Sequence, residues 1–82
     1  MNKLEIEIAS FKEEVLTTGM TMSMYLNKKK SLINKIECFS NKSLMFFQQL
    51  YFIDLINRQQ YLDMKIKVDK SRKHYKSMLS II

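Results

Sequence analysis

The side chains that could do catalytic chemistry are few and widely separated in the sequence. His74 is the only histidine and Cys38 the only cysteine among 82 residues. A nucleophile needs its base within hydrogen-bonding distance, and these two residues lie near opposite ends of the helical hairpin predicted below. Glu13 and Glu14 are adjacent and would point in different directions on a helix, so they do not form a catalytic carboxylate pair. The sequence therefore predicts a protein that is not an enzyme.

Sequence motifs for cofactors and metal ions are also missing. Gly19 is the only glycine, so the chain has no glycine-rich phosphate loop and no dinucleotide-binding motif. Histidine, cysteine and carboxylate residues do not cluster at the spacing of metal ligands. We therefore expect neither a cofactor nor a bound metal ion.

One group of charged residues is suited to binding anions, in a chain whose formal net charge is +6. Six cations lie within a twelve-residue stretch that also contains His74 and Tyr75. They are Lys65, Lys67, Lys70, Arg72, Lys73 and Lys76. Lysines on a helix can contact phosphates while a tyrosine ring stacks on a base. The favoured alternative is a solvated helix end. In that interpretation the cations balance the acids of the first part of the chain, which are Glu5, Glu7, Glu13 and Glu14.

Two helix-forming stretches flank a polar segment and would position these residues. Residues 43–80 contain neither glycine nor proline, and their apolar residues repeat at helical spacing, as do those of residues 2–39. Between the two stretches, the polar residues 40–43 compete for backbone hydrogen bonds and predict a turn. The sequence thus predicts one all-α domain, an antiparallel helical hairpin with arms over about 2–39 and 43–80 and a turn over about 40–43.

Gly19 is the weakest point of the first arm. Glycine costs about 1 kcal/mol relative to alanine inside a helix, and the preceding Thr17 and Thr18 are β-branched. The apolar period resumes in phase after the glycine, at Met22 and Leu26. This retained phase favours a continuous or kinked helix over two separate helices.

The distribution of charge favours the antiparallel arrangement of the two arms. Folding about residue 41 would place the glutamates of the first arm beside the basic end of the second arm. It would also bring residues 28–30, three lysines, near Asp54. Exposed ion pairs contribute only about 0.2–1 kcal/mol each, but their signs favour this topology over a parallel one.

The second arm carries two apolar stripes on nearly opposite sides. The first stripe predicts the contact inside the hairpin, through Phe46, Leu50, Ile53, Tyr61, Met64 and Val68. The second stripe predicts a partner-binding surface, formed by Phe47, Tyr51, Leu55, Leu62 and Ile66. Two helices of a small chain bury little surface by themselves. We therefore expect the hairpin to complete a coiled-coil-like helical bundle by homo-oligomerisation or with a protein partner. The alternative is that a third helix of the same chain covers the second stripe, which requires Gly19 to separate two helices.

The sequence also indicates a cellular setting. A single cysteine excludes an internal disulfide framework and is typical of a reducing compartment. The first residues, MNKLEIEIASFKEE, contain acids where a secretory signal needs an apolar segment. The most apolar window, residues 44–56, is shorter than the ~20 residues of a membrane span. These features predict a cytoplasmic protein without a transmembrane segment.

The function that this pattern favours is that of a small non-enzymatic protein–protein interaction module, such as an adaptor, a chaperone-like protein or a subunit of a complex. Nucleic-acid binding by the basic end of the second arm is the alternative. With its short, glycine- and proline-poor hairpin and one basic end, the chain resembles small helical components and chaperones of bacterial type III secretion and flagellar export. It is equally similar to many small phage and plasmid proteins. The resemblance concerns architecture only and assigns no role to any residue.

Overall fold

In the computed structural model, which describes residues 2–82, the chain forms three helices and, within that range, no strand: α1 (Lys3–Thr17), α2 (Met22–Phe52) and α3 (Arg58–Ser80). The all-α prediction is confirmed. The longest helix, α2, spans 31 residues and sets the length of a rod that measures 51 × 17 × 17 Å. The other two helices lie along it, so the predicted pair of equal arms is replaced by three helices of unequal length.

The turn between α1 and α2 is built by local capping groups. Thr18 ends α1 by donating its backbone N–H to the Glu14 carbonyl, and Gly19 follows with a φ of +63°. Glycine adopts this left-handed conformation readily because it has no Cβ to clash with the backbone. The Thr21 hydroxyl then caps α2 by accepting from the Met24 N–H. The expectation of a continuous or kinked helix through Gly19 is therefore wrong, because the caps on both sides of the glycine stop one helix and start another.

The turn predicted over residues 40–43 is also wrong, since α2 runs straight through this segment. Ser40 is buried, and its hydroxyl donates to the Ile36 carbonyl at 2.9 Å. This hydrogen bond satisfies the serine inside the helix, so it does not compete for backbone groups elsewhere. Asn41 and Lys42 are exposed to solvent, where polar side chains interrupt no apolar contact.

The second reversal of the chain lies over residues 53–57 instead. Asp54 takes the left-handed conformation with a φ of +61°. Asn57 then starts α3 with a capping box, in which its side chain accepts from the Gln60 N–H at 2.8 Å and the Gln60 side chain accepts from the Asn57 N–H at 2.9 Å. Two otherwise unsatisfied donors at the helix end are paired in this way. The apolar residues 53, 55 and 56 had masked this turn signal in the sequence.

The core lies where all three helices run side by side, and it is formed by Ile8, Phe11, Leu32, Ile36, Tyr75 and Leu79. At this level α1 runs antiparallel to α2, and its beginning lies next to the end of α3, where Asn2 contacts the Tyr75 hydroxyl. Further along the rod α1 is absent and only α2 and α3 continue. No residue between positions 41 and 74 is buried. We call residues 41–70 the distal hairpin.

Candidate functional site

The distal hairpin exposes many large apolar side chains. Two helices that pack against one another cover one face each, and a third helix is needed to cover the adjoining faces. In the half of the rod that has the core, α1 supplies this cover. Beyond it, the following side chains are more than one-third exposed: Met45, Phe46, Tyr51, Phe52, Ile53, Leu55, Leu62 and Ile66.

The structure places the residues of the predicted hairpin contact in two groups. Four of them are half-buried, namely Leu50, Tyr61, Met64 and Val68. Phe46 and Ile53 are exposed instead. The prediction was wrong for these two because the chain reverses at residues 53–57 and not at 40–43, which changes the side of α2 that faces α3.

The residues of the predicted partner-binding surface are mostly accessible. Tyr51, Leu55, Leu62 and Ile66 are exposed. Phe47 is half-buried and lines a groove between α2 and α3. The Tyr51 and Tyr61 rings stack with their centroids 5.1 Å apart, and they link the two helices close to the turn. The Lys65 ammonium lies 5.7 Å from the Tyr61 ring centroid, a cation–π distance.

The acids of α1 do not pair with the basic end of α3 as predicted. Glu14 forms an ion pair with Lys28, and Glu7 forms one with Lys35 at 3.3 Å. The reason is the reversal at Gly19, which folds α1 back along α2 so that Glu7 and Glu14 face lysines of α2. Lys28 consequently lies beside Glu14 and not near Asp54.

The six cations of the predicted anion-binding cluster fall into two sets. Arg72 and Lys76 pair with Glu37, and Arg72 and Lys73 also pair with Asp69, with distances of 2.6 Å and 3.1 Å to its carboxylate. The other three form no ion pair with any residue in the range 2–82: Lys65, Lys67 and Lys70.

The ion pairs shift the titration of both carboxylates. Hydrogen bonding from Lys76 and the charges of Lys76 and Arg72 lower the pKa of Glu37 from its ordinary value of 4.5. Hydrogen bonds from Lys73 and Arg72 likewise lower the pKa of Asp69 from 3.8. Both groups are partly exposed, so solvent screens these interactions.

The stability of the fold should therefore depend on pH in the acidic range. A carboxylate whose pKa is lower in the folded state stabilises it above the unfolded pKa, and this stabilisation is lost as the pH falls through the folded pKa. We expect the melting temperature to fall as the pH drops below about 4.5, and to fall less steeply in Lys76→Gln, which removes a partner of Glu37. Thermal unfolding followed by circular dichroism checks this expectation. A Lys30→Gln variant serves as the control and should keep the full acid dependence, because Lys30 forms no ion pair with a described residue.

The residues with catalytic or ligand potential form neither a hydrogen-bonded pair nor a metal-binding group in the described part of the chain. The pairing of Glu37 with Lys76 brings Cys38 and His74 to a similar level of the rod, so their predicted separation at opposite ends is wrong. Both side chains are exposed and no hydrogen bond joins them. In the described part of the chain, no three histidine, cysteine or acidic residues form a group that could hold a metal ion.

The helices over residues 2–82 include none that is both long and apolar enough to cross a membrane. Comparison of the chain with known protein families, with curated protein sequences and with solved structures yields no match.

Proposed function

We propose that this chain is a small non-enzymatic interaction module that works by protein–protein contact through its distal hairpin. The observation that carries the proposal is the contrast between the two halves of the rod. All six buried apolar side chains lie in the half that has three helices, whereas the two-helix half has no buried residue and exposes eight large apolar side chains. Contiguous exposed apolar surface is unusual on a monomer in water and marks interaction sites.

The exposed residues surround the tip and the outer side of the hairpin. Phe52, Ile53 and Leu55 lie at or next to the turn, and Leu62 and Ile66 lie one helical turn apart on α3. Such i, i+4 aliphatic pairs on a helix fit the groove of another helical surface. The partner is another protein or a second copy of the chain.

Photo-cross-linking in the cell that makes the protein tests the proposal. A benzophenone amino acid placed at Leu55 or Ile66 should yield covalent protein adducts, because these side chains would be covered by the partner. The same amino acid at Leu16, an exposed apolar position at the other end of the rod, is the matched control and should yield fewer adducts. The masses of the adducts show whether the partner is a second copy.

Adducts that are equally abundant at all three positions would contradict an interaction surface on the distal hairpin. The absence of adducts at Leu55 and Ile66, with the labelled protein folded and present, would contradict the proposed function.

Binding of nucleic acid is the second candidate, favoured by one specific observation. Three cations of the α3 cluster have no acidic partner among residues 2–82, namely Lys65, Lys67 and Lys70. The other three cations of the cluster are occupied by Glu37 and Asp69. An available set of about three cations supports only weak electrostatic attraction, which physiological salt largely screens.

A salt titration decides between the two candidates. Contact with about three phosphates would give a slope of roughly −2 to −3 in log K against log salt. We expect fluorescence anisotropy to show oligonucleotide binding at low salt that vanishes near ~150 mM. Changing Lys65, Lys67 and Lys70 to Gln should flatten the slope, whereas the same change at Lys3, Lys12 and Lys30 is a control of equal charge. Tight binding near ~150 mM salt that only the first variant loses would establish the nucleic-acid function.

A further inference from the structure

One apolar stripe of α2 is covered by α1 over half its length and then continues uncovered. The stripe repeats every seven residues, a spacing at which successive side chains differ by only about 20° in direction around a straight helix. It consists of Tyr25, Leu32, Phe39 and Phe46, followed by Ile53 at the C-cap of the helix. Tyr25 stacks on Phe11 of α1 with ring centroids 5.8 Å apart, and Leu32 is only 6% exposed. Phe39 and Phe46 are each 55% exposed. The change occurs where α1 begins.

A row of lysines beside this stripe follows the same repeat. Lys28 pairs with Glu14 and Lys35 pairs with Glu7, so lysines seven residues apart meet acids seven residues apart on an antiparallel helix. The next lysine in the row is Lys42, which forms no ion pair with any described residue. In this register its partner would lie one heptad beyond Glu7, past the start of α1.

The surface between α2 and α3 forms a groove that continues the seat of α1. One hollow, next to the first turn of α1, has a volume of about 420 Å³ and includes Leu4, Phe39 and Tyr75 in its wall. A second hollow of about 200 Å³ follows along the rod. Phe39 belongs to both hollows, and the second one is completed by Ser40, Ser43, Phe47, Met64, Lys67, Val68 and Ser71. We use the name distal groove for this second hollow together with the exposed stripe residue Phe46 and with Lys42, which directly precedes Ser43 of the wall in the sequence.

We propose that the distal groove binds an acidic amphipathic helix of a partner protein, which lies in line with α1 and extends the three-helix packing along the rod. This inference rests on the proposed interaction function and names the chemistry of its partner. Apolar residues of the partner helix pack on Phe39, Phe46 and Phe47. A carboxylate of the partner pairs with Lys42. From Phe39 to Ile53 the stripe offers space for about four helical turns, or ~21 Å.

The charge of the groove favours an acidic partner over a second copy of the chain. A two-fold dimer formed through this groove would place the same surface on both sides of the contact. The residues that line it include Lys67 but no acid, and Lys42 directly precedes Ser43 of its wall. Both copies would therefore bring cations together, with no acid in the lining to compensate them. An acidic helix removes this repulsion, and α1, with four glutamates and two lysines, shows that the adjacent seat accepts such a helix.

A peptide with the sequence of residues 2–17 is the probe, because this segment fits the equivalent seat. It is acetylated, amidated and labelled with a fluorophore, and it is added to the full chain. Shifted by two heptads from its position in the fold, its Glu14 would meet Lys42 and its Phe11 would meet Phe39. We expect saturable binding by fluorescence anisotropy, and amide shifts in NMR spectra concentrated around residues 39–47 and 64–71. A control peptide with Glu7 and Glu14 changed to Gln should bind more weakly.

Matched variants of the chain locate the contact. Phe46→Ser should weaken peptide binding about tenfold or more, since buried aromatic anchors dominate interfaces. Leu26→Ser, at an exposed position of α2 outside both the stripe and the distal hairpin, should leave binding unchanged. Lys42→Gln should weaken binding about two- to fivefold, as expected for an exposed ion pair, and Lys30→Gln should not. Circular dichroism confirms that each variant is folded.

Three outcomes would overturn the proposal. The first is no binding of the peptide, or binding that Phe46→Ser leaves intact. The second is binding with amide shifts centred on Tyr25 and Leu32, which means that the peptide displaces α1. The third is dissociation of a dimer by Phe46→Ser, which means that a second copy occupies the groove. In each case, protein adducts at Leu55 and Ile66 would still support the proposed interaction function. Failure of that function and failure of the acidic partner helix can therefore be distinguished.

Discussion

Replacing Ile36 by alanine is expected to lower the free energy of unfolding by about 2–5 kcal/mol. Ile36 is 0% exposed and lies at the level where all three helices meet. Removing three carbons there leaves a cavity that rigid helices cannot close fully, and the lost contacts add to the lost transfer energy. A chain of this size has a stability of roughly 4–12 kcal/mol. The substitution should therefore remove a large part of the stability of the fold.

Chemical denaturation followed by circular dichroism measures this effect. Ile6→Ala is the matched control, because Ile6 is exposed and its truncation should change the unfolding free energy by less than about 0.5 kcal/mol. Equal effects of the two substitutions would contradict a core at the junction of the three helices. A lower oligomeric state of the Ile6→Ala variant alone would show that a partner covers Ile6.

Replacing Asn41 by proline is expected to destabilise the chain by about 3 kcal/mol or more. Asn41 lies in the interior of α2, where proline removes a backbone donor and its ring clashes with the carbonyl four residues earlier, that of Glu37. The preceding residue, Ser40, would also be pushed away from helical geometry. Because Ser40 is buried, the helix cannot bend there without disturbing the packing against α3.

The same substitution would be tolerated if residues 40–43 formed a turn, where proline is common. Asn41→Pro thus separates the two arrangements of the chain. Asn41→Ala is its control, and it should leave stability unchanged or raise it slightly because alanine is the better helix former. Melting curves of both variants, followed at the helical circular dichroism band, provide the measurement. A proline variant as stable as the alanine variant would contradict a continuous α2.

The local sequence determined that the chain is helical. Only one glycine and no proline interrupt it, and its apolar residues recur at helical spacing, which is a property of short segments that needs no knowledge of the fold. The capping groups of the real turns were also present in the sequence, as Thr21 before α2 and the Asn57–Gln60 box before α3. These capping residues are harder to recognise in a sequence than a run of polar residues such as 40–43.

The accessible apolar surface could be predicted in part from the same pattern. Tyr51, Leu55, Leu62 and Ile66 were expected on the outside of the second arm and are exposed. Phe46 was expected inside the hairpin contact but is exposed, whereas Phe47 was expected on the outer surface and is half-buried. Adjacent residues on a helix differ by about 100° in direction, so an error in the position of the turn is enough to exchange them.

The tertiary structure alone decided where the helices end, which faces are covered and which charges pair. The phase of the apolar stripe is the same before and after Gly19, so periodicity could not distinguish a straight helix from a reversal. The reversal itself places Glu7 and Glu14 beside Lys35 and Lys28. The extent of α1 then determines that Leu32 is buried while Phe46, two heptads further along the same stripe, is open. Burial depends on which helix lies alongside, and that is a property of chain packing that local periodicity does not contain.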